Sequence, residues 1–359
     1  MSRIAAVAPA LPPYAYTQEE ITAELGPVVT PDPGSPRRAV MERVHANSGV
    51  STRHLAVPLE RYRTLTSFDQ TNDLFISVGL DLAEAAVRDG LKTAGLVPED
   101  VDHILFTSVT GVSAPSLDAL LVGRLGMRPD VRRVPVFGLG CVAGAAGIAR
   151  VHDYLVGHPD DVAVLLSVEL CSLTLQHGDD SMANLVSSGL FGDGAAAVVM
   201  LGDARAATLG ATGPDVVGTL SRLYPDTEDL LGWDVGGSGF RIVLSASLAD
   251  VVERNLGDDV AGLLDTHGLT LADVGTWVAH TGGPRVLEAV ARTLELDRSA
   301  LELSWRSLDR VGNLSSAAVL HVLADTLEAG TAPPGDVGVL FAMGPGICAE
   351  LVLLRWPED

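Results

Sequence analysis

The 359-residue chain is 47% hydrophobic and carries 24 Lys and Arg against 46 Asp and Glu, a net charge of -22. That length and apolar content suffice for a large core in two domains or one duplicated unit. The acidic balance excludes nucleic-acid recognition, which rests on cations that neutralise phosphates, so any anionic ligand must be met by local positive charge or helix N-termini.

Residues 1–11 are apolar with one Arg3, but Pro9, Pro12 and Pro13 interrupt them before a signal-peptide core forms, and no run approaches a membrane span. Gly26 to Pro36 reads as a loop between an N-terminal arm and a helix starting near Arg38. Asp73 to Ala94 has helical periodicity, with Leu82, Ala85, Ala86 and Val87 apolar. A strand is expected over His103 to Val109, a helix near Ser116 to Leu125, and a strand through Val134 to Phe137 that turns at Gly138 and Gly140 into a helix of tiny side chains, Val142 to Ala149. Further strands are expected over Val162 to Val168 and Ala195 to Met200, with a loop and a helix to Ser188 between them. This alternation predicts a layered α/β fold.

The second half echoes the first. Asp100-Val101 leads into Ile104 to Thr107 as Asp273-Val274 leads into Trp277 to His280, and each run closes on a Thr-Gly. Gly140-Cys141 and Gly312-Asn313 open small-residue helices at similar offsets, and Leu190-Phe191 with Gly194 parallels Leu340-Phe341 with Gly344. These echoes imply a duplication, with one half over 1–205 and the other over 206–359. Cys141 and Asn313 would then stand at equivalent helix starts and face each other.

Three segments join a reactive side chain to glycines that permit close approach: Gly140-Cys141, His280-Thr281-Gly282-Gly283-Pro284 and Gly312-Asn313. A thiol at a helix start meets unpaired N–H groups and the positive dipole end, which favour a thiolate nucleophile; a small buried hydrophobe is the alternative. His280 ends an apolar strand, where it could serve the thiol or be purely structural. Asn313 could donate to an oxyanion or cap a helix. The other eight histidines (His45, His54, His103, His152, His158, His177, His267 and His321) lack such a setting and read as surface or core residues. Cys141, Cys171 and Cys348 are odd in number and far apart, which suggests neither a disulfide framework nor a metal motif; a reducing cytoplasm and no cofactor or metal are expected.

Five motifs together, Gly138-Leu139-Gly140-Cys141-Val142-Ala143-Gly144, Gly189 to Ala196, Ala279 to Pro284, Gly312 to Ser316 and Gly344-Pro345-Gly346, resemble the type III polyketide synthases, the chalcone-synthase-like branch of the thiolase superfamily. The resemblance runs from about Arg43 to Trp356. It implies a duplicated αβαβα fold, a homodimer, CoA thioesters as substrates and a Cys-His-Asn triad at Cys141, His280 and Asn313. It also implies gating aromatics at Phe191 and Phe240, with Arg43 on CoA. Thr110, Ala114, Glu169, Cys171, Thr174 and Ser315 would line the substrate cavity, as would Gly282, Gly283, Gly344, Pro345 and Gly346. A hydroxyl–carboxylate–serine relay of stilbene-type members maps to Val109, Glu169 and Ser315, and Val109 lacks the hydroxyl.

Ala114 replaces a larger residue of plant members and Ala342-Met343 alters the cavity wall, which implies room for a bulky starter. Tyr224-Pro225-Asp226-Thr227-Glu228-Asp229, followed by Gly232-Trp233-Asp234-Val235 and Gly239-Phe240-Arg241, resembles bacterial alkylresorcinol and alkylpyrone synthases. The expected function is therefore extension of a fatty acyl-CoA by malonyl-CoA and cyclisation to an alkylresorcinol or alkylpyrone. Alternatives are a tetrahydroxynaphthalene-type enzyme using malonyl-CoA only, a ketoacyl synthase III, or, in a different class, a non-catalytic acyl-CoA binder. A cysteine hydrolase would want glycines where Leu139 and Ala143 stand, and a dinucleotide-binding reading of Gly138, Gly140 and Gly144 would put a cysteine in the phosphate turn.

Overall fold

The computed structural model describes residues 1–358. The chain opens with β1 (Ser2–Ala10), β2 (Tyr14–Thr17), α1 (Gln18–Val29), α2 (Pro36–Ala46) and β3 (Thr52–Leu55). Thr17 starts α1 through a capping box, its side chain accepting the Glu20 N–H while Glu20 accepts the Thr17 N–H. Next come α3 (Phe68–Thr93), β4 (His103–Thr107), α4 (Leu117–Leu125), β5 (Arg132–Val136), α5 (Ala143–Val156), β6 (Val162–Leu170), α6 (Met182–Leu190), β7 (Asp193–Gly202) and α7 (Asp203–Leu209). The second half runs β8 (Asp215–Leu223), β9 (Leu231–Gly236), β10 (Gly239–Leu244), α8 (Leu248–Asp265), β11 (Val274–Ala279), α9 (Pro284–Thr293), α10 (Glu302–Val311), α11 (Ala318–Ala329), β12 (Val337–Gly344) and β13 (Cys348–Arg355).

Nine strands pair in the order β11-β12-β13-β8-β1-β7-β6-β4-β5. From β1 outward the pairings to β7, β6 and β4 are antiparallel, antiparallel and parallel, and from β8 outward those to β13, β12 and β11 repeat that pattern. The duplicated thiolase-like αβαβα architecture is visible in this repeat. One cluster of buried side chains joins α5 and α11 to strands of both halves, among them Leu105, Leu165, Val198, Leu340 and Val352. A second cluster packs α1, α3 and α4 on the first half's outer face, and a third packs α8, α9 and α10 on the second's. Every residue of β6 and β7 is buried, so these strands read as unbroken apolar runs with layers on both faces.

The tiny side chains of α5 follow from its central place. A Cβ on Gly144 would lie 2.3 Å from the Ser316 carbonyl oxygen, and one on Gly147 would lie 2.4 Å from Leu165 Cδ1.

Three expectations need correction. The N-terminal arm is β1, a strand inside the sheet; it tolerates Pro9 because β8 pairs only with Ser2 and Arg3, which leaves the rest of β1 bonded on one side. The loop expected from Gly26 is helical to Val29, with Pro27 inside the last turn of α1 and the Thr30 N–H closing on the Gly26 carbonyl at 2.9 Å. The echo between Leu190 and Leu340 has no structural counterpart, since Leu190 closes α6 whereas Leu340 lies within β12.

Candidate active site

Cys141 sits in a 3-10 turn, Gly140–Val142, that runs directly into α5. Gly138 and Gly140 take φ of +99° and +59°, the left-handed backbone that lets β5 double back into the helix. The buried Cys141 Sγ donates to Ser315 Oγ at 3.6 Å. Burial pushes this thiol up to about 12, opposed by the Ser315 contact and reinforced by the nearby Glu169 carboxylate.

The Asn313 side-chain oxygen accepts the Ser315 N–H at 2.8 Å, an Asx turn rather than a helix cap, and α11 begins only after a further 3-10 turn, Ser315–Ala317. Its backbone is tied to the first half: the Asn313 N–H donates to Leu190 O at 2.9 Å and Gly192 N–H donates to Asn313 O at 3.0 Å. Phe191 is thereby bridged to Asn313. Ser315, the residue between the thiol and the amide, has φ +51°, a conformation unusual for a side-chain-bearing residue.

His280 follows β11 directly, and its N–H donates to Phe341 O of β12 at 3.1 Å. It is buried, its Nδ1 has no hydrogen-bond partner among the described residues, and burial pushes the imidazole down to about 4. Gly283 has φ +125° where the chain enters α9, and a Cβ there would touch Leu190. The far end of β12 meets the cysteine turn: a Cβ on Gly344 would lie 2.6 Å from Leu139 O, and one on Gly140 would lie 2.5 Å from Pro345 Cδ. Cys141, Asn313 and Ser315 thus form one contact cluster, and β12 links His280 to the same turn.

Glu169 lies beside this cluster, fully buried in β6. One oxygen accepts from the Ser316 hydroxyl, and the other accepts from Thr110 Oγ1 at 2.9 Å and the Val109 N–H at 3.2 Å. Burial pushes its carboxyl up to about 7 against the pull of these hydrogen bonds. The expected Val109–Glu169–Ser315 relay is therefore corrected. Val109 contributes only its N–H, Thr110 and, at 3.3 Å, Ser108 supply hydroxyls on that side, and Ser316 takes the place of Ser315, which faces the thiol. The adjacent serines of Gly312 to Ser316 were the available signal, because consecutive residues in a tight turn point to different neighbours.

Phe191, Cys171 and Thr174 line a cavity of about 30 Å³ together with Trp233 and Arg53. Phe240 packs against Phe68, Trp233 and Phe137 at ring distances of 5.3, 5.9 and 6.0 Å. Trp233 therefore packs on one candidate gating phenylalanine, Phe240, and lines a cavity with the other, Phe191. Arg43 is exposed on α2 and Ala114 is exposed after β4. Cys348 is half-buried against the central cluster, its thiol donating to Pro345 O at 3.2 Å. Among the described residues no His, Cys, Asp and Glu group is placed to hold a metal ion, and no helix is long and apolar enough to cross a membrane.

Family models described as the N-terminal and C-terminal domains of chalcone and stilbene synthases match residues 2–204 and 215–356. A 1,3,6,8-tetrahydroxynaphthalene synthase of Streptomyces peucetius subsp. caesius is 58% identical over 353 residues, covering 98% of this chain and 93% of that protein. A putative chalcone synthase of Bacillus subtilis (strain 168) is 35% identical over 320 residues, covering 87% of each chain. Among solved structures, 1,3,6,8-tetrahydroxynaphthalene synthase from Streptomyces coelicolor A3(2), described as a bacterial type III polyketide synthase, matches with a TM-score of 0.92 at 32% identity, covering 99% of this chain and 100% of that one.

Proposed function

Because the chain belongs to the chalcone and stilbene synthase family, the type III polyketide synthases, we propose that it converts malonyl-CoA alone into 1,3,6,8-tetrahydroxynaphthalene, with Cys141 carrying the growing chain. The observation that carries the substrate reading is the 58% identity to the Streptomyces peucetius enzyme over nearly the whole chain. That relation supports the malonyl-only alternative better than the alkylresorcinol reading drawn from Tyr224 to Asp229.

The chemistry balances without an oxidant. Five malonyl-CoA give one tetrahydroxynaphthalene, five carbon dioxide, five free CoA and one water. In the proposed mechanism the Cys141 sulfur attacks the malonyl thioester and CoA leaves. A second malonyl-CoA loses carbon dioxide, and the enolate oxygen accepts hydrogen bonds from His280 Nε2 and the Asn313 amide. The enolate carbon then attacks the Cys141 thioester and expels the sulfur, and the lengthened chain returns to Cys141 with release of CoA; four such extensions release four carbon dioxide, and the starter's own terminal carboxyl leaves as the fifth. One aldol closure releases the water, and one Claisen closure releases the final thiol. Phe191 and Phe240 shape the way in, while Thr110, Thr174, Cys171 and Glu169 bound the folded chain.

The proposal includes a homodimer. Strand β5 forms one end of the nine-stranded sheet, and Val112, Val134 and Phe137 around it are about half exposed. An edge strand flanked by such apolar side chains is suited to cover by a second copy, which would also bury Ala114. Arg43 is assigned to CoA phosphate, and the three unpaired cysteines fit a reducing cytoplasm.

The test is product analysis by mass spectrometry with malonyl-CoA alone and with added long-chain acyl-CoA. Tetrahydroxynaphthalene from malonyl-CoA alone is expected. Product formation that requires the acyl-CoA and incorporates it would reinstate the alkylresorcinol reading.

A further inference from the structure

We propose that Thr227 is a positioning residue, whose hydroxyl holds Cys141 in place for chain extension by fixing the turn Gly344 to Ile347. The inference rests on the proposed role of Cys141. Thr227 lies in the stretch Tyr224 to Asp229 between β8 and β9, remote in sequence from every member of the thiol cluster.

The local backbone is built to present this side chain. Pro225 is followed by Asp226 at φ +59°, the pattern of a type II turn, with Asp tolerating the left-handed position. A residue held there costs free energy that surrounding contacts must offset. Those contacts lead to the 344–347 turn. The Thr227 hydroxyl, buried, accepts the Ile347 N–H at 2.5 Å and lies 2.7 Å from Gly346 O and 2.8 Å from Tyr224 O, either of which can take its single proton. Tyr224 adds its own N–H to Ile347 O at 2.9 Å. The Tyr224 ring is anchored in turn, its hydroxyl donating to Asp259 of α8, which also accepts from Arg222 at 3.1 Å.

The turn so held presses on both neighbours of Cys141. Pro345 occupies the space a Cβ of Gly140 would need, and Gly344 approaches Leu139 O and Val142 so closely that a Cβ would fall 2.6 and 2.9 Å from them. The sulfur itself makes one weak hydrogen bond among the described residues, to Ser315 at 3.6 Å. Its location is therefore set by its backbone, and the backbone by the turn. A displacement of about 1 Å at a reacting atom is enough to cost on the order of a hundredfold in rate.

The experiment compares Thr227→Val, which keeps the shape and removes the hydroxyl, with Thr227→Ser, which keeps the hydroxyl. Purified enzyme and malonyl-CoA are used, measuring kcat, KM, the ratio of short to full-length products, and the thermal midpoint. Thr227→Val should lower kcat about tenfold or more, leave KM within about threefold and raise the share of prematurely released chains; Thr227→Ser should stay within about threefold of wild type. If the valine variant does not fold, Pro345→Ala, which trims the ring resting on Gly140, must shift the product ratio in the same direction. The inference is overturned if Val and Ser behave alike, if Thr227→Val loses only thermal stability, or if Pro345→Ala gives the wild-type product ratio. Cys141→Ala is the control: turnover there overturns the reading of Cys141, whereas an inactive Cys141→Ala with a normal Thr227→Val overturns the role of Thr227 alone.

Discussion

Ser315 donates its backbone N–H to the side-chain oxygen of Asn313 at 2.8 Å, which leaves the amide nitrogen as the end free to donate outward. The Asx turn settles which way the amide points, a choice that sequence does not make. Asn313→Asp retains the oxygen that Ser315 binds, so the turn should persist, but it replaces the outward donor with an anion. Decarboxylation of malonyl-CoA should fall by about 10²- to 10³-fold with an unchanged thermal midpoint. Wild-type decarboxylation in this variant would show that Asn313 only shapes the turn.

Much of this was legible in the sequence, for identifiable reasons. Apolar runs such as Val162 to Val168 marked strands buried on both faces, and the glycines around Cys141 marked a helix that must approach other backbone closely. The parts that were not legible depend on pairing and side-chain direction. Nothing local tells that Ser2–Ala10 is joined on both sides only at Ser2 and Arg3, the arrangement that admits Pro9. Likewise, Ser108 and Thr110, the neighbours of Val109, both turn hydroxyls on Glu169 because the chain leaves β4 and turns, which ends the strict alternation of side chains.

The protonation of the thiol gives a second prediction. Burial, the largest influence on each, pushes the Cys141 thiol up to about 12 and the His280 imidazole down to about 4, so each charge is unfavourable without the other. A thiolate formed together with an imidazolium, at the start of α5, is the state in which both can be charged near neutrality. Alkylation of Cys141 by iodoacetamide should therefore level off by about pH 8 in wild type and keep rising with pH in His280→Gln. Identical profiles in the two proteins would remove His280 from the role of partner.

Glu169 makes stability depend on pH with a definite sign. Its folded carboxyl titrates near about 7, whereas the ordinary glutamate value is 4.5. Between these values the folded chain binds more protons, so this group's contribution falls as pH rises through the window and is level above it. In Glu169→Gln the difference in thermal midpoint from wild type should move in the variant's favour from about pH 4.5 to about pH 7 and then stay constant. Melting curves at several pH values check this, and a difference independent of pH would contradict the raised carboxyl.

The exposed edge at β5 predicts an oligomeric state. Wild-type protein should run as a dimer in light scattering coupled to gel filtration. Val134→Asp with Phe137→Asp should give monomer, since charges at an apolar edge oppose strand and side-chain pairing. A wild-type monomer, or a dimer indifferent to both substitutions, would place the interface elsewhere or remove it.

The covalent role of Cys141 is most directly tested by acid-quenching the enzyme during turnover with isotopically labelled malonyl-CoA and identifying the labelled peptide by mass spectrometry. The account predicts adducts on the Cys141 peptide that differ from one another by one ketide unit, and none in Cys141→Ala. Label carried by Cys171 or Cys348 instead, or no protein-bound label while product accumulates, would contradict it.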